Sequence, residues 1–384
     1  MAEMRKHKVE PIKQTAGENA PQANKCVKLR LEQLMTAAKS FRINDIVSLW
    51  QRRDYKLWAQ GLRKWRTKLK KIARKIWRNL KKILINMARH WRFLTVFVPL
   101  FLLMYYGLGG MIVENIDVKN EYKPHTEPLL GMETAESMSF LLKRELDDKM
   151  WTPNIPIIFP AYVLDNMPNF QIGMVRAVRD IACSVKNFKS DAVNQSENIK
   201  AACKYLNYSP RIWIMSRKSK FNLAPSANTQ YRKAAAELHK FAKNGVFKPQ
   251  AMDLDIVLQK INKALHGIVA RNETQQQENS AEWLDFNSDN LFYYGKGYAF
   301  ALWQIGKVLG TDFKETILAD DIYTEWTYFV NSLKKAAELK PFRVRNGRPE
   351  SMWSPNHLIM QNYYLQRAMI AVEKIHNRLE KNAN

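Results

Sequence analysis

From 93 to 113 the chain reads FLTVFVPLFLLMYYGLGGMIV, 21 residues without a charge. A helix apolar on every face has no place on the surface of a soluble domain. At 1.5 Å per residue the run reaches about 30 Å, the thickness of a bilayer's hydrocarbon core. A single transmembrane helix over 93–113 is therefore the first expectation. A cleaved signal peptide would begin nearer residue 1 and use a shorter apolar run. Pro99 is tolerable in a lipid-embedded helix. Tyr105 and Tyr106 read as depth anchors or packing residues. The cluster Gly107, Gly109 and Gly110 suits either close approach of another helix or local flexibility near the helix end.

The flanks give an orientation. Residues 73–92 contain seven cations (Arg74, Lys75, Arg78, Lys81, Lys82, Arg89 and Arg92) and no acid. Residues 114–133 contain two, Lys119 and Lys123, against five acids. Cations stay on the cytoplasmic side, which predicts a cytoplasmic N-terminus and a C-terminal domain across the membrane. The net charge of +25 follows the same division: residues 1–92 hold 25 Lys/Arg against 6 Asp/Glu, a net of +19.

Within that basic arm, residues 1–50 read as partly disordered, with short helices near 29–38 and 43–50. The next segment, 51–92, is more regular. Trp58, Leu62, Trp65, Leu69, Ile72, Ile76, Leu80, Ile83 and Met87 recur at steps of three or four, one stripe on a long helix. Lys64, Lys68, Lys70, Lys71, Arg74, Lys75, Arg78, Lys81 and Lys82 lie between them. Such a helix suits a membrane interface, its stripe in the acyl boundary and its cations on the anionic inner leaflet. Two alternatives stay open: a coiled-coil-like seam with another copy or a partner, and, less favoured, a nucleic-acid arm.

Beyond the span, 114–384 is expected to be an all-α domain, since helix formers dominate and no run of alternating strands is present. A polar linker over 114–131 precedes helices expected at 133–149, 169–186, 226–244, 254–270, 290–309, 317–339 and 355–377. Asn169 is expected to cap its helix and Gly310 to end another. The hydrophilic stretch 271–288 reads as a loop dividing the helices into two groups.

Three blocks then become specific: LDNMPNFQIGMVRAVRD (164–180), LFYYGKGYAFALWQIGKVLGTDF (291–313) and WSPNHLIMQNYYLQRAMIAVEKI (353–375). In this order after one N-terminal span, the chain resembles the bacterial family called domain of unknown function 2333, over about residues 93–384. The resemblance implies a Gram-negative inner membrane and a periplasmic helical domain. It hands over no catalytic residue.

Chemistry is sparsely marked. There is no HExxH, GxSxG, P-loop or GxGxxG pattern, and the histidines have no mutual ligand spacing, so no metal or cofactor is expected. Tyr293, Tyr294, Gly295 and Gly297 read as a helix-packing patch, with a ligand groove as the alternative. Trp353, Ser354, Asn356, His357, Asn362 and Arg367 form the candidate recognition surface. A noncatalytic envelope scaffold with an envelope protein partner, and with self-association open, is the leading expectation. An envelope enzyme using Asp165 or His357 as acid or base is the runner-up. Cys183 and Cys203 both follow the span, where an oxidising periplasm would allow a disulfide. Two independent buried thiols remain the alternative.

Overall fold

The computed structural model describes residues 54–89, 91–114, 116–125, 129, 131–189, 196–213, 224–278, 285–348 and 354–383. The short helices expected near 29–38 and 43–50, and Trp353, lie outside them. The chain divides into two bodies, one ending at Thr95 and one beginning at Val96, and each is described by itself. Among the described residues the secondary structure is helical, with one isolated bridge between Asn346 and Asn356.

Helix α1 (Asp54–Arg89) carries the expected stripe. Trp65, Leu69, Ile72, Ile76, Leu80 and Ile83 are all exposed. At 100° per residue the cations from Lys64 to Lys82 fall on the opposite arc. Helix α2 (Trp91–Val113) contains Pro99 and is long and apolar enough to cross a membrane, with almost none of it buried.

The remaining helices are α3 (Glu133–Lys143), α4 (Asn166–Val185), α5 (Glu197–Leu206), α6 (Ala227–Asn244), α7 (Ala251–Glu278), α8 (Phe286–Asp312), α9 (Lys314–Ala319), α10 (Tyr323–Glu338) and α11 (His357–Ala383). Their centre is α8, which packs on α3, α4, α7, α10 and α11. Every residue from Gly295 to Gly306 is buried, so this helix is enclosed on all sides and its apolar residues need no single stripe. Its closest partner is α4, because both helices present glycine at the crossing. A Cβ on Gly297 would lie 1.9 Å from the Phe170 carbonyl oxygen, and one on Gly173 would lie 2.1 Å from that of Tyr294. Asp180 of α4 reinforces the pair, accepting from the Tyr298 hydroxyl at 3.0 Å and from Arg179, with Lys260 of α7 at 3.5 Å.

Several boundaries differ from the sequence reading. Helix α4 starts at Asn166 rather than 169, with Asp165 in the cap position. Pro168 fits there because the first turn of a helix has no partner for its N–H. Asn169 instead donates to the Asp165 carbonyl at 2.8 Å and to Asn290. The stretch 271–288, expected as a dividing loop, is helical at both ends: α7 continues to Glu278 and α8 begins at Phe286. Asn272 and Gln275 explain the continuation, since they are buried polar residues bonded to Asn362 and Asp285. The helices on either side of this stretch share one hydrophobic core. Gly310 does not end α8; it sits under Trp326, whose Nε1 would be 2.4 Å from a Cβ. The helix expected over 317–339 is split into α9 and α10 at Asp321, whose φ of 50° lies in the left-handed region.

The linker after α2 is held along the domain. Tyr122 N–H donates to Gln304 at 3.2 Å, Lys307 pairs with Glu121, and buried Arg144 donates to the Asp117 carbonyl. Arg144 also pairs with Glu145 at 3.4 Å and stacks over Phe300 at 4.6 Å. It opens a π turn, Arg144–Asp148, that continues α3. Cys183 of α4 and Cys203 of α5 are joined by a disulfide across a sequence separation of 20. Closing a loop of that size contributes about 3 kcal/mol in the chain-entropy model.

The glycine crossing makes a matched prediction. Gly297→Ala should destabilise the domain by about 2–3 kcal/mol through overpacking against backbone that cannot yield. Gly267→Ala in α7, where nothing lies within 4 Å of the new Cβ, should stabilise by about 0.5–1 kcal/mol. Thermal unfolding of the two variants in detergent reads both signs, and equal effects would contradict the crossing.

Candidate functional site

The recognition surface expected around the start of α11 separates into two kinds of residue. Asn356 donates to Asn346 at 2.7 Å and to the Gly347 carbonyl at 2.8 Å, and accepts from Ile359 N–H at 3.0 Å. His357 Nδ1 accepts from Arg345 N–H at 3.0 Å, and burial holds its pKa below the ordinary imidazole value. Asn362 is buried and bonded to Asn272. These three use their polar groups internally. Arg367 differs. Its guanidinium stacks on Tyr328 of α10 at 4.7 Å and on Tyr363 at 5.3 Å. Ile359, Met360 and Ile370 are exposed on the same arc of α11. An exposed face of Tyr, Arg and Met has the composition of protein-binding surfaces.

Tyr293, Tyr294, Gly295 and Gly297 are packing residues. Gly295 admits the Gln361 side chain, and Gly297 admits the backbone of α4. No hydrogen bond or ion pair joins Asp165, a candidate acid or base, to His357, the other, among the described residues.

Asp165 belongs to a different group. Glu114 follows α2 directly and accepts from Asn166 Nδ2 at 2.8 Å. Asp289, in the first turn of α8, has its carboxyl pushed up to about 7, first by burial and then by the charges of Asp165 and Glu114, with Arg343 opposing. Carboxylates drawn from 114, 165 and 289 are thus gathered near one another, and the first two raise the pKa of the third. The sequence offered Asp165 as a candidate acid or base and Glu114 only among the acids after the span, and nothing singled out Asp289.

Two clefts open among the described residues of the domain. One of about 380 Å³ lies between α7 and α11, lined by Asn262, His266, Glu373 and His376, with His376 paired to Asp255. The other, about 290 Å³, is walled by Trp151, Phe159 and Trp213, with Asn154 and Arg232 at its polar side. Asn154 donates to the Ile212 carbonyl and to Asn228, both at 2.9 Å, and Arg232 donates to Asp147 at 2.8 Å. No group of three or more His, Cys, Asp or Glu is placed to hold a metal ion among the described residues. The described residues thus bring together an aromatic cleft, an Arg–Tyr face and a carboxylate group beside the end of α2.

An all-helical domain following one apolar helix is thus the class that fold and surfaces define. The chain belongs to the family described as domain of unknown function 2333, uncharacterised proteins conserved in bacteria, whose model matches residues 93–265 and 250–382. The match begins at the apolar helix and leaves out the basic arm. No curated protein and no solved structure matches the chain.

The carboxylate group sets a pH dependence. The folded state binds the Asp289 proton more tightly than the unfolded chain, whose carboxyl has the ordinary value of 3.8. Stability from this group is therefore full below that value and declines as pH rises to about 7. Asp289→Asn, which keeps the neutral form, should raise the unfolding midpoint near pH 8 and leave it unchanged near pH 4. A variant equally shifted at both pH values would show that Asp289 does not titrate as described.

Proposed function

We propose that this protein is a noncatalytic, bitopic scaffold of the bacterial inner membrane, with its N-terminus cytoplasmic and its helical domain periplasmic. Its outer helices bind an envelope protein through the Arg367–Tyr363–Tyr328 face, and α1 lies on anionic lipid of the inner leaflet. The observation that carries the reading is α2, uncharged from Phe93 to Val113 and exposed on nearly every side. Left in water, that surface would forgo about 25 cal/mol of stabilisation for each Å² of apolar area that a bilayer would bury. Three features support the orientation and role. The cations cluster before α2 and the acids after it. The Cys183–Cys203 disulfide suits an oxidising compartment. The Arg367–Tyr363–Tyr328 face carries residue types enriched at protein interfaces.

Two experiments test this reading. A C-terminal alkaline phosphatase fusion should be active and a C-terminal green fluorescent protein fusion, exported by the same route, dark; bright fluorescence without phosphatase activity would reverse the orientation. For the arm, replacing Lys68, Lys70, Lys71, Arg74, Lys75 and Arg78 by Gln in a peptide covering 50–90 should weaken binding to anionic vesicles. The same change should reduce the salt sensitivity of that binding. Equal affinity for neutral and anionic vesicles would remove the lipid reading, and tight binding to DNA alone would replace it.

A further inference from the structure

The proline-rich segment between the π turn and α4 touches α2 at an unexpected depth. Tyr105 Oη donates to the Ile158 carbonyl at 2.8 Å and Tyr106 Oη to the Ile157 carbonyl at 2.6 Å. A Cβ on Gly109 would lie 2.5 Å from Pro160, so the missing side chain there is the seat of the proline ring. Tyr105 lies a little over two turns before the end of α2 at Val113, about 12 Å along the axis. If α2 spans the bilayer, that is well inside the hydrocarbon region of the leaflet on the domain's side.

We propose that residues 155–163 form a second membrane-embedded element, a short turn that dips beside α2 into that leaflet and contacts acyl chains directly. The inference rests on the spanning role of α2. The chemistry of the turn matches what lipid demands. From Trp151 to Leu164 there is no charged residue. Ile157, Ile158, Phe159 and Tyr162 are all exposed, between 42% and 67%. In hydrocarbon an unpaired backbone group costs several kcal/mol, so irregular chain survives at depth only where its polar groups are satisfied. Pro153, Pro156 and Pro160 bring no N–H. The N–H groups of Ile155, Phe159, Tyr162 and Leu164 are bonded within the segment. The two tyrosine hydroxyls take the carbonyls of Ile157 and Ile158, which also satisfies the hydroxyls.

The test uses nitroxide labels on the full chain in vesicles of phosphatidylethanolamine and phosphatidylglycerol. Cys26→Ser leaves only the bonded cysteines, and single labels are placed through Ile158→Cys, Leu103→Cys and Val246→Cys, with Tyr162→Cys as a second position in the turn. Oxygen partitions into lipid and a nickel chelate into water. Labels at 158 and 162 should share the oxygen preference of the label at 103, while the label at 246 prefers nickel. Nickel preference at 158 and 162 with oxygen preference at 103 would place the turn in water and overturn the inference, leaving the span intact. Nickel preference at 103 would remove the span itself and the inference with it. Labels at 158 and 162 closed to both reagents would mean that protein, not lipid, covers the turn, and would equally overturn it.

Discussion

The helical domain depends on one backbone-to-backbone contact, the crossing of α4 and α8 at Gly173 and Gly297. Each glycine faces the carbonyl of the other helix at a distance that no side chain could share. Such closeness lets the longest buried run among the described residues, Gly295 to Gly306, lie in the middle of the helical domain. A helix surrounded on every side needs small residues where its neighbours come nearest and large ones where they recede. Phe292, Phe300 and Trp303 fill the wider gaps, and glycine and alanine take the narrow ones. The other helices then pack on a centre already positioned, and the Asp180–Tyr298 bond ties the same pair through a polar contact.

Much of this was visible as periodicity. The 21-residue apolar run, the stripe of α1 and the positions of most outer helices follow from spacing alone, because burial on one face repeats every three or four residues. The boundaries were less legible because they depend on partners distant in sequence. Gly310 has the appearance of a helix stop, yet the helix continues because Trp326 needs the room. The polar composition of 271–278 suggests a loop, but Asn272 and Gln275 turn inward and find partners on residues 362 and 285. The break at Asp321 needs a left-handed residue, and no glycine marks it.

The candidate surfaces divide in the same way. Of the residues grouped by sequence around the start of α11, Arg367 stacks on two tyrosine rings, while Asn356, His357 and Asn362 bond within the fold. Local sequence cannot distinguish an amide that greets a partner from one that closes a turn. Asp289 illustrates the opposite failure. Its perturbation comes from burial together with Asp165 and Glu114, residues more than a hundred positions away in the chain, so no spacing rule could assemble the group.

Taken together, the contacts around the exit of α2 describe a mount rather than a tether. The residues that follow the helix do not leave it as free linker: Asn166 bonds Glu114, Arg144 holds Asp117 and Gln304 receives Tyr122. On another side Pro160 seats on Gly109 while two tyrosines hold the neighbouring carbonyls. Attachment through both the following segment and a returning one constrains tilt as well as position, because two separated contacts resist rotation that a single linker would permit. The domain therefore presents its aromatic cleft and its Arg–Tyr face in a set relation to the axis of α2. In the role proposed above, recognition of a partner anchored in the same bilayer, that constraint would lower the orientational cost of each encounter, which a flexible stalk would leave in place.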